Sequence, residues 1–443
     1  MKSENINRGT FIKPATSTGA AAPSLHNSGK QGANQRLVAG IMGVNSRGHS
    51  VATGFASRPG CDLKWVCDVD ERAVDRTVAS VRENASSDTR LQARGTGDFR
   101  TILDDPDVDI LVIAACDHWH TPAAILAMKA GKHVYVEKPG SQNGHESELI
   151  VAAQKKYGKH VQMGNQQRSD PKSIQAIREI HDGILGRTYY AQAWYANTRG
   201  SIGTGQEASV PDWLDYELWQ GPAPRRPYQD NLIHYNWHWF HHYGTGEIAN
   251  NGTHELDVAR WALGVTYPTR VQSSGGRYHY HDDWEFFDTQ IASFDFEEAK
   301  SITWHGRSCN GHPFFDRGRG VTVHGEKGTM LIDRNGYLLY DKESNLVKEV
   351  TSDDVQDPLD TTGFDGNTVR HIQNFLDTIR GEATLNSSIE SGQKPVTWCH
   401  LANIAQQLNR QLDVDPRTGR ILGDDEAAAL WKREYESGWE PTL

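Results

Sequence analysis

Short apolar runs alternate with segments of helical period from Arg36 to about residue 165. Leu37-Val-Ala-Gly-Ile-Met42 reads as a buried strand, His49 to Ser57 as a helix stopped by Arg58-Pro59-Gly60, and Leu63 to Cys67 as a second strand. A helix over Glu71–Arg82 follows, and then a strand over Ile110–Ala114. The next helix takes Thr121 as N-cap, Pro122 at its first position and Gly131 just past its end. After the strand His133–Val136, Asn143 with Glu146 three residues on forms a capping pair for another helix, which leads to the strand His160–Met163. Strands that alternate with helices in this way predict a parallel sheet with helices on both faces.

Beyond Gly164 the grammar changes. A helix over Pro171–Asp182 leads into the strand Thr188–Tyr195, and later strand candidates are Arg270–Tyr280, Thr289–Phe296, Ser301–Trp304, Gly320–His324, Thr329–Ile332 and Tyr337–Tyr340. Their short connections, such as Glu326-Lys-Gly328, predict a mainly antiparallel sheet. Helices near Asn367–Arg380, Val396–Arg410 and Asp424–Tyr435 close the chain. The fold class is therefore α/β: a doubly wound, Rossmann-type domain over 36–165, then an α/β domain over 166–443 with a large, open, mainly antiparallel sheet. Residues 1–35, rich in Gly, Ser, Ala and Asn, read as a disordered leader or an export-signal-like segment.

Composition narrows the function classes. At 443 residues, 37% apolar and 23% charged, the chain has the make-up of a globular protein of two domains, and no apolar run is long enough to cross a bilayer. A net charge of −11 without long basic runs disfavours nucleic acid as a partner. Five scattered cysteines carry no metal-type spacing and leave the compartment open. Asn7-Arg-Gly-Thr-Phe-Ile-Lys13 is a degenerate twin-arginine-like motif, so the expectation is the periplasm, with the cytoplasm as the alternative.

Two stretches carry chemistry. In Gly43-Val-Asn45-Ser-Arg47-Gly48, Gly43 permits a tight turn and Gly48 a close approach of helix and strand, so that a pyrophosphate can rest on free N–H groups. Asp68, 20 residues beyond Gly48, is placed to accept hydrogen bonds from an adenosine ribose, and its charge would repel a 2′-phosphate. The expected cofactor is NAD rather than NADP. Asn45 stands where the usual fingerprint has its middle Gly, and Asn tolerates a left-handed backbone there better than other side chains. The other stretch is Glu137-Lys138-Pro139, at the carboxyl edge of a strand, where open parallel sheets bind ligands.

These motifs, with Asp117-His-Trp-His120, Gly164-Asn-Gln-Gln-Arg168 and Gly246-Glu-Ile-Ala-Asn250-Asn-Gly-Thr-His254, stand in the order that resembles the Gfo/Idh/MocA oxidoreductases. The resemblance implies NAD-linked chemistry on sugars or polyols. It extends the cofactor-binding set of Gly43, Asn45, Arg47, Gly48 and Asp68 to Asp117, His120, Glu137, Lys138 and Gln166. It makes Lys138 the active-site lysine and His254 the acid/base, with Asn250 where many members have Asp. It also implies a homodimer or homotetramer formed through the C-terminal sheet. Chemistry alone agrees on the pair, because oxidising a secondary alcohol needs a base for the hydroxyl proton and positive charge beside the developing alkoxide. For Asp257 the expectation is a structural role opposite Arg260, or help to His254 in place of the missing carboxylate.

An aromatic segment between the two halves resembles the substrate loop of a secreted, sugar-acting branch. Arg168, Arg199, Tyr228, His234, Trp237 and His238 are its candidate sugar contacts, since polyhydroxylated ligands suit polar partners beside a stacking face. A metal held by His238, His241 and His242 is the alternative reading of the same segment, and no evident carboxylate or Cys completes such a set. The leading expectation is a dehydrogenase or keto-reductase of a sugar or glycoside. The alternatives are an NAD-dependent glycosidase working by transient oxidation and elimination, and a sugar- or NAD-binding scaffold without turnover.

Overall fold

The computed structural model describes residues 36–351 and 366–443; the leader and its export-like motif lie outside them. The first half runs β1 (Leu37–Met42), α1 (Arg47–Ala56), β2 (Cys61–Cys67), α2 (Glu71–Glu83), β3 (Arg94–Thr96), α3 (Arg100–Asp104), β4 (Ile110–Ile113), α4 (Asp117–Lys129), β5 (His133–Val136), α5 (Gly144–Tyr157) and β6 (Val161–Met163). Its six strands pair in parallel in the order β3-β2-β1-β4-β5-β6. The order reverses between β1 and β4, which opens a crevice at their carboxyl ends.

Helix α4 begins at Asp117, not at Thr121 as the Thr-Pro pair suggests, so Pro122 lies inside it. Pro122 has no N–H for the carbonyl one turn back, on His118, and the Arg433 guanidinium donates to that oxygen instead at 2.7 Å. A tail contact from 315 residues away thus repairs the helix.

The second half continues with α6 (Pro171–His181), β7 (Thr188–Ala196), α7 (Tyr216–Gln220), α8 (Thr253–Leu263), β8 (Arg270–Gly276), β9 (Thr289–Phe296), β10 (Lys300–Arg307), β11 (Arg319–Gly325), β12 (Gly328–Ile332), β13 (Tyr337–Asp341), β14 (Leu346–Val350), α9 (Gly366–Arg380), α10 (Ile389–Leu408), β15 (Leu412–Asp413) and α11 (Asp425–Ala429). Nine strands form one sheet in the order β14-β13-β12-β11-β7-β10-β9-β8-β15. Every described pairing in it is antiparallel except β7 with β10. Alternate residues such as Ala292, Phe294, Ile302 and Trp304 face a core shared with Leu256 of α8 and Trp398 of α10. Helix α10 starts at Ile389, earlier than the Val396 expected, because Ser388 caps it and Pro395 is accommodated within it.

The C-terminal helices return to the first sheet. Ile372 and Phe375 of α9 join the core of α1 and β4, and Ile389 and Val396 of α10 join that of β5 and β6. Buried histidines mark these seams. His371 Nε2 donates to the Met163 carbonyl at 2.9 Å, His118 Nε2 donates to the Trp219 carbonyl at 2.9 Å, and His400 meets Ser141 at 3.1 Å. A second seam is ionic. Arg168, just after β6, forms a two-pronged pair with Asp257 of α8, both contacts at 2.7 Å. Burial alone would raise the Asp257 carboxyl, but the Arg168 guanidinium outweighs it and holds it below the usual range.

Burial depresses His118, His120 and His400 to about 3 and His371 to about 4. Unfolded histidines take up protons near 6.5, so their contribution to stability is complete above that pH and is lost progressively as pH falls toward about 3. Thermal melts should therefore show Tm declining steadily from pH 6.5 downward, and a flat profile over that interval would contradict the assignment. Replacing Arg168 by Met strands a buried carboxylate and should cost roughly 3–5 kcal/mol in urea unfolding.

Candidate active site

A cavity of about 400 Å³ lies at the β1–β4 reversal and extends to the start of α8. Its walls come from both halves of the chain: Gly43, Asn45, Arg47, Asp68, Asp117, His120, Glu137 and Lys138 from the first, and Gln166, His234, Trp237, His238, Asn250 and His254 from the second.

The β1–α1 turn forms one end. Gly43 has φ +83°, and a Cβ there would meet the Ala115 backbone at 2.5 Å. Gly48 lies behind the lining, where a Cβ would fall 1.7 Å from the Gly43 carbonyl oxygen. Asn45 is not left-handed: Gly43 alone supplies the positive φ in this turn, and the Asn45 carbonyl accepts from Arg76 at 2.7 Å. No side chain caps the start of α1, so its first N–H groups face the cavity beside Asn45, Ser46 and Arg47. Asp68 accepts from the Val44 N–H at 2.6 Å and the Asp70 N–H at 3.0 Å, and burial raises its carboxyl. An uncapped helix start with an acid at the end of the neighbouring strand fits the pyrophosphate and ribose of NAD.

At the other end, Lys138 Nζ donates to Asn250 Oδ1 at 2.9 Å, joining β5 to the turn before α8. Burial lowers the amine, and the carboxylates of Asp117, Glu137 and Glu247 oppose that shift. Glu137 is no surface charge: it is 4% exposed and accepts from Arg47 at 3.1 Å and Gln166 at 2.9 Å. Asp117 accepts from the Thr245 hydroxyl, and burial pushes its carboxyl up to about 7. His120 is a brace. It accepts the Gly140 N–H on Nδ1 and donates from Nε2 to the Ala115 carbonyl, which fixes a neutral ring.

Asn250 and Asn251 reach the cavity from one π-turn, Ile248–Gly252, and His254 from the first turn of α8, into which the π-turn runs directly. Such widened turns recur at functional sites. Burial depresses His254 well below 6.5, and the cations of Arg334, Arg319, Lys138 and Arg47 add to the effect. At neutral pH the imidazole is therefore uncharged and ready to accept a proton. Asp257 does not assist it, being committed to Arg168.

Three candidate sugar contacts do not line the cavity. Arg168 is buried against Asp257 and Trp261, because a guanidinium removed from water needs a carboxylate. Arg199 lies behind the wall, paired with Glu247 at 2.6 Å and stacked over Trp239. Tyr228 packs edge-on against Tyr216 within an aromatic cluster. The other three are in the lining. His234 meets Asp70 at 2.9 Å and stacks on Trp213, while Trp237 and His238 stack with ring centroids 3.6 Å apart. His238 donates from Nδ1 to the Tyr235 carbonyl, so its Nε2 carries the lone pair. The three clustered histidines are directed to different partners: His242 to the Pro224 carbonyl, His238 to Tyr235, and His241 against Phe286. Among the described residues, no group of three His, Cys, Asp or Glu side chains could hold a metal ion.

Glu247, Arg319 and Arg334 escaped sequence reasoning. Glu247 had a signal, an acid three positions before Asn250 within the same motif. Arg319 and Arg334 sit beyond β10, and nothing local ties them to His254.

The model described as "Oxidoreductase family, NAD-binding Rossmann fold" matches residues 37–165, and that described as "Oxidoreductase family, C-terminal alpha/beta domain" matches residues 189–441. A glycosyl hydrolase family 109 protein of Saccharopolyspora erythraea is 32% identical over 208 residues, 41% of this chain and 45% of that protein. An alpha-N-acetylgalactosaminidase of Shewanella oneidensis is 27% identical over 156 residues, 35% of this chain and 34% of that protein. The matches thus span less than half the length of these curated relatives. Levoglucosan dehydrogenase in complex with NADH superposes with a TM-score of 0.67 at 18% identity, covering 86% of this chain and all (100%) of that one. The WlbA dehydrogenase from Bordetella pertussis, in complex with NADH and UDP-GlcNAcA, gives 0.62 at 18% identity over 86% of this chain and 99% of that one. At such identity these structures establish the shared fold, and the two family models together establish that the chain belongs to the Gfo/Idh/MocA oxidoreductase family.

Proposed function

We propose that this protein is an NAD-dependent oxidoreductase that interconverts a hydroxyl and a ketone on a ring carbon of a sugar or glycoside. The observation that carries the reading is the convergence of Lys138 and His254, from opposite halves of the chain, on the cavity that also holds the β1–α1 turn and Asp68. Bound NAD would accept the hydride. The chain's own work is to bind, orient and move a proton. His254, neutral at its resting state, takes the hydroxyl proton, and the Lys138 ammonium stabilises the developing alkoxide. Trp237 and His238 offer a stacked face for a ring.

A second reading, the NAD-dependent glycosidase, is favoured by the relatives named glycosyl hydrolase family 109 protein and alpha-N-acetylgalactosaminidase. There the same proton and hydride steps would open and close an elimination, leaving no net change in NAD. The face of the nine-stranded sheet away from the helices carries Gln192, Ser293, Thr303 and Ile291, the last 46% exposed, and is proposed to pair in a homodimer or homotetramer.

Incubation with a panel of glycosides and 3-keto-glycosides separates the two readings. Net NADH supports the dehydrogenase, and aglycone release without net NADH supports the glycosidase. Lys138→Ala should lower kcat on the order of 10²–10³-fold, and His254→Ala about 10²–10⁴-fold. Unchanged rates in both variants would reject the site. In sedimentation, Ile291→Lys should shift the protein toward monomer, and a wild-type profile would exclude that face.

A further inference from the structure

Glu247 is 4% exposed, lies one turn before Asn250, and is tied to more partners than any neighbour in that turn. Arg199 donates to it from Nε at 2.6 Å and Nη2 at 3.3 Å, Ser308 from its hydroxyl at 3.3 Å, and Asn251 from its amide. Asn250 donates from Nδ2 at a longer 3.5 Å. The other end of that amide, Oδ1, accepts from Lys138. A lysine ammonium only donates and a carboxylate only accepts, so the amide of Asn250 has one orientation that serves both. An Asp at position 250 would face Glu247 as a second carboxylate. An amide is the group that joins a cation on one side to an anion on the other.

Arg199 carries the arrangement to the opposite wall. It donates to the Tyr235 hydroxyl at 3.0 Å and lies over Trp239, and the Tyr235 carbonyl holds His238. One ion pair thus keys the floor beneath Lys138 to the aromatic wall.

We propose that Glu247 is the positioning residue of the reacting centre: clamped by Arg199, it fixes the Asn250 amide toward Lys138 and supplies, from one turn upstream, the negative charge that residue 250 lacks. The groups facing Lys138 are the carboxylates of Asp117, Glu137 and Glu247, the guanidinium of Arg47 and the imidazoles of His120, His238 and His254, all three held neutral by burial, so removal of Glu247 leaves the amine with less support for its proton. The proposal rests on the reading of Lys138 as the amine at the reacting carbon, but its first test needs no turnover.

Competitive reductive methylation across pH, read by mass spectrometry of the Lys138 peptide in the purified full chain, gives the midpoint of the amine. Glu247→Gln should move that midpoint down by on the order of one pH unit, and adding Asn250→Asp to Glu247→Gln should move it back up. A merely structural Glu247 would lower Tm and leave the midpoint in place; an unmoved midpoint in folded Glu247→Gln overturns the proposal, whether or not a substrate has been found. If Glu247→Gln does not fold, Glu247→Asp keeps a carboxylate for Arg199 while withdrawing it from Asn250. With a substrate in hand, that variant should lose ten- to a hundredfold in kcat at unchanged NAD affinity, on the order expected for misplacing a reacting group. Wild-type kcat in Glu247→Asp overturns the proposal equally.

Discussion

An amine buried between two halves of a protein is the constraint from which the rest follows. Lys138 is removed from water at the end of β5, where its charge is costly unless carboxylates surround it. None of the carboxylates that oppose its shift is its direct hydrogen-bond partner in the structure; that place belongs to the neutral amide of Asn250. Carboxylates held at one remove oppose the loss of its proton, and the amine is left without a direct carboxylate partner. The same economy explains why Asp117 and Glu137 are pinned by Thr245, Arg47 and Gln166 and not by Lys138.

Much of the fold was legible, because its signals are local. The alternation of apolar runs with capped helices between Arg36 and residue 165 depends on periods of two and 3.6 residues, and the parallel sheet follows from it. What escaped was whatever depends on remote partners. Strand β3 has only three residues, and no apolar run announces it. Thr121-Pro122 looks like a helix start, and only Arg433, far along the chain, lets α4 begin earlier at Asp117. Similarly, Pro395 looks like a boundary until α10 is seen running through it.

The site divides along the same line. The turn at Gly43 and the acid at Asp68 are near in sequence and could be placed from spacing. The arginines could not. Arg168 and Arg199 resemble sugar contacts when read beside aromatic and amide neighbours, yet their carboxylates, Asp257 and Glu247, stand 89 and 48 residues away. A buried guanidinium is decided by its partner, and sequence proximity carries no information about that partner. Glu247 was overlooked for the complementary reason, since an acid within a motif read for its Asn and His looks like spacing.

The charged neighbours differ from one part of the cavity to another. Asp68 lines the end near the β1–α1 turn, a setting suited to hydroxyls and hostile to a 2′-phosphate. Around His254 the neighbours are cationic, with Arg319, Arg334, Lys138 and Arg47 all opposing its protonation. A histidine in that field is a proton acceptor that cannot hold its proton for long once Lys138 is charged beside it. Proton uptake by His254 and charge on Lys138 therefore work against each other, and an anion between the two would ease that conflict.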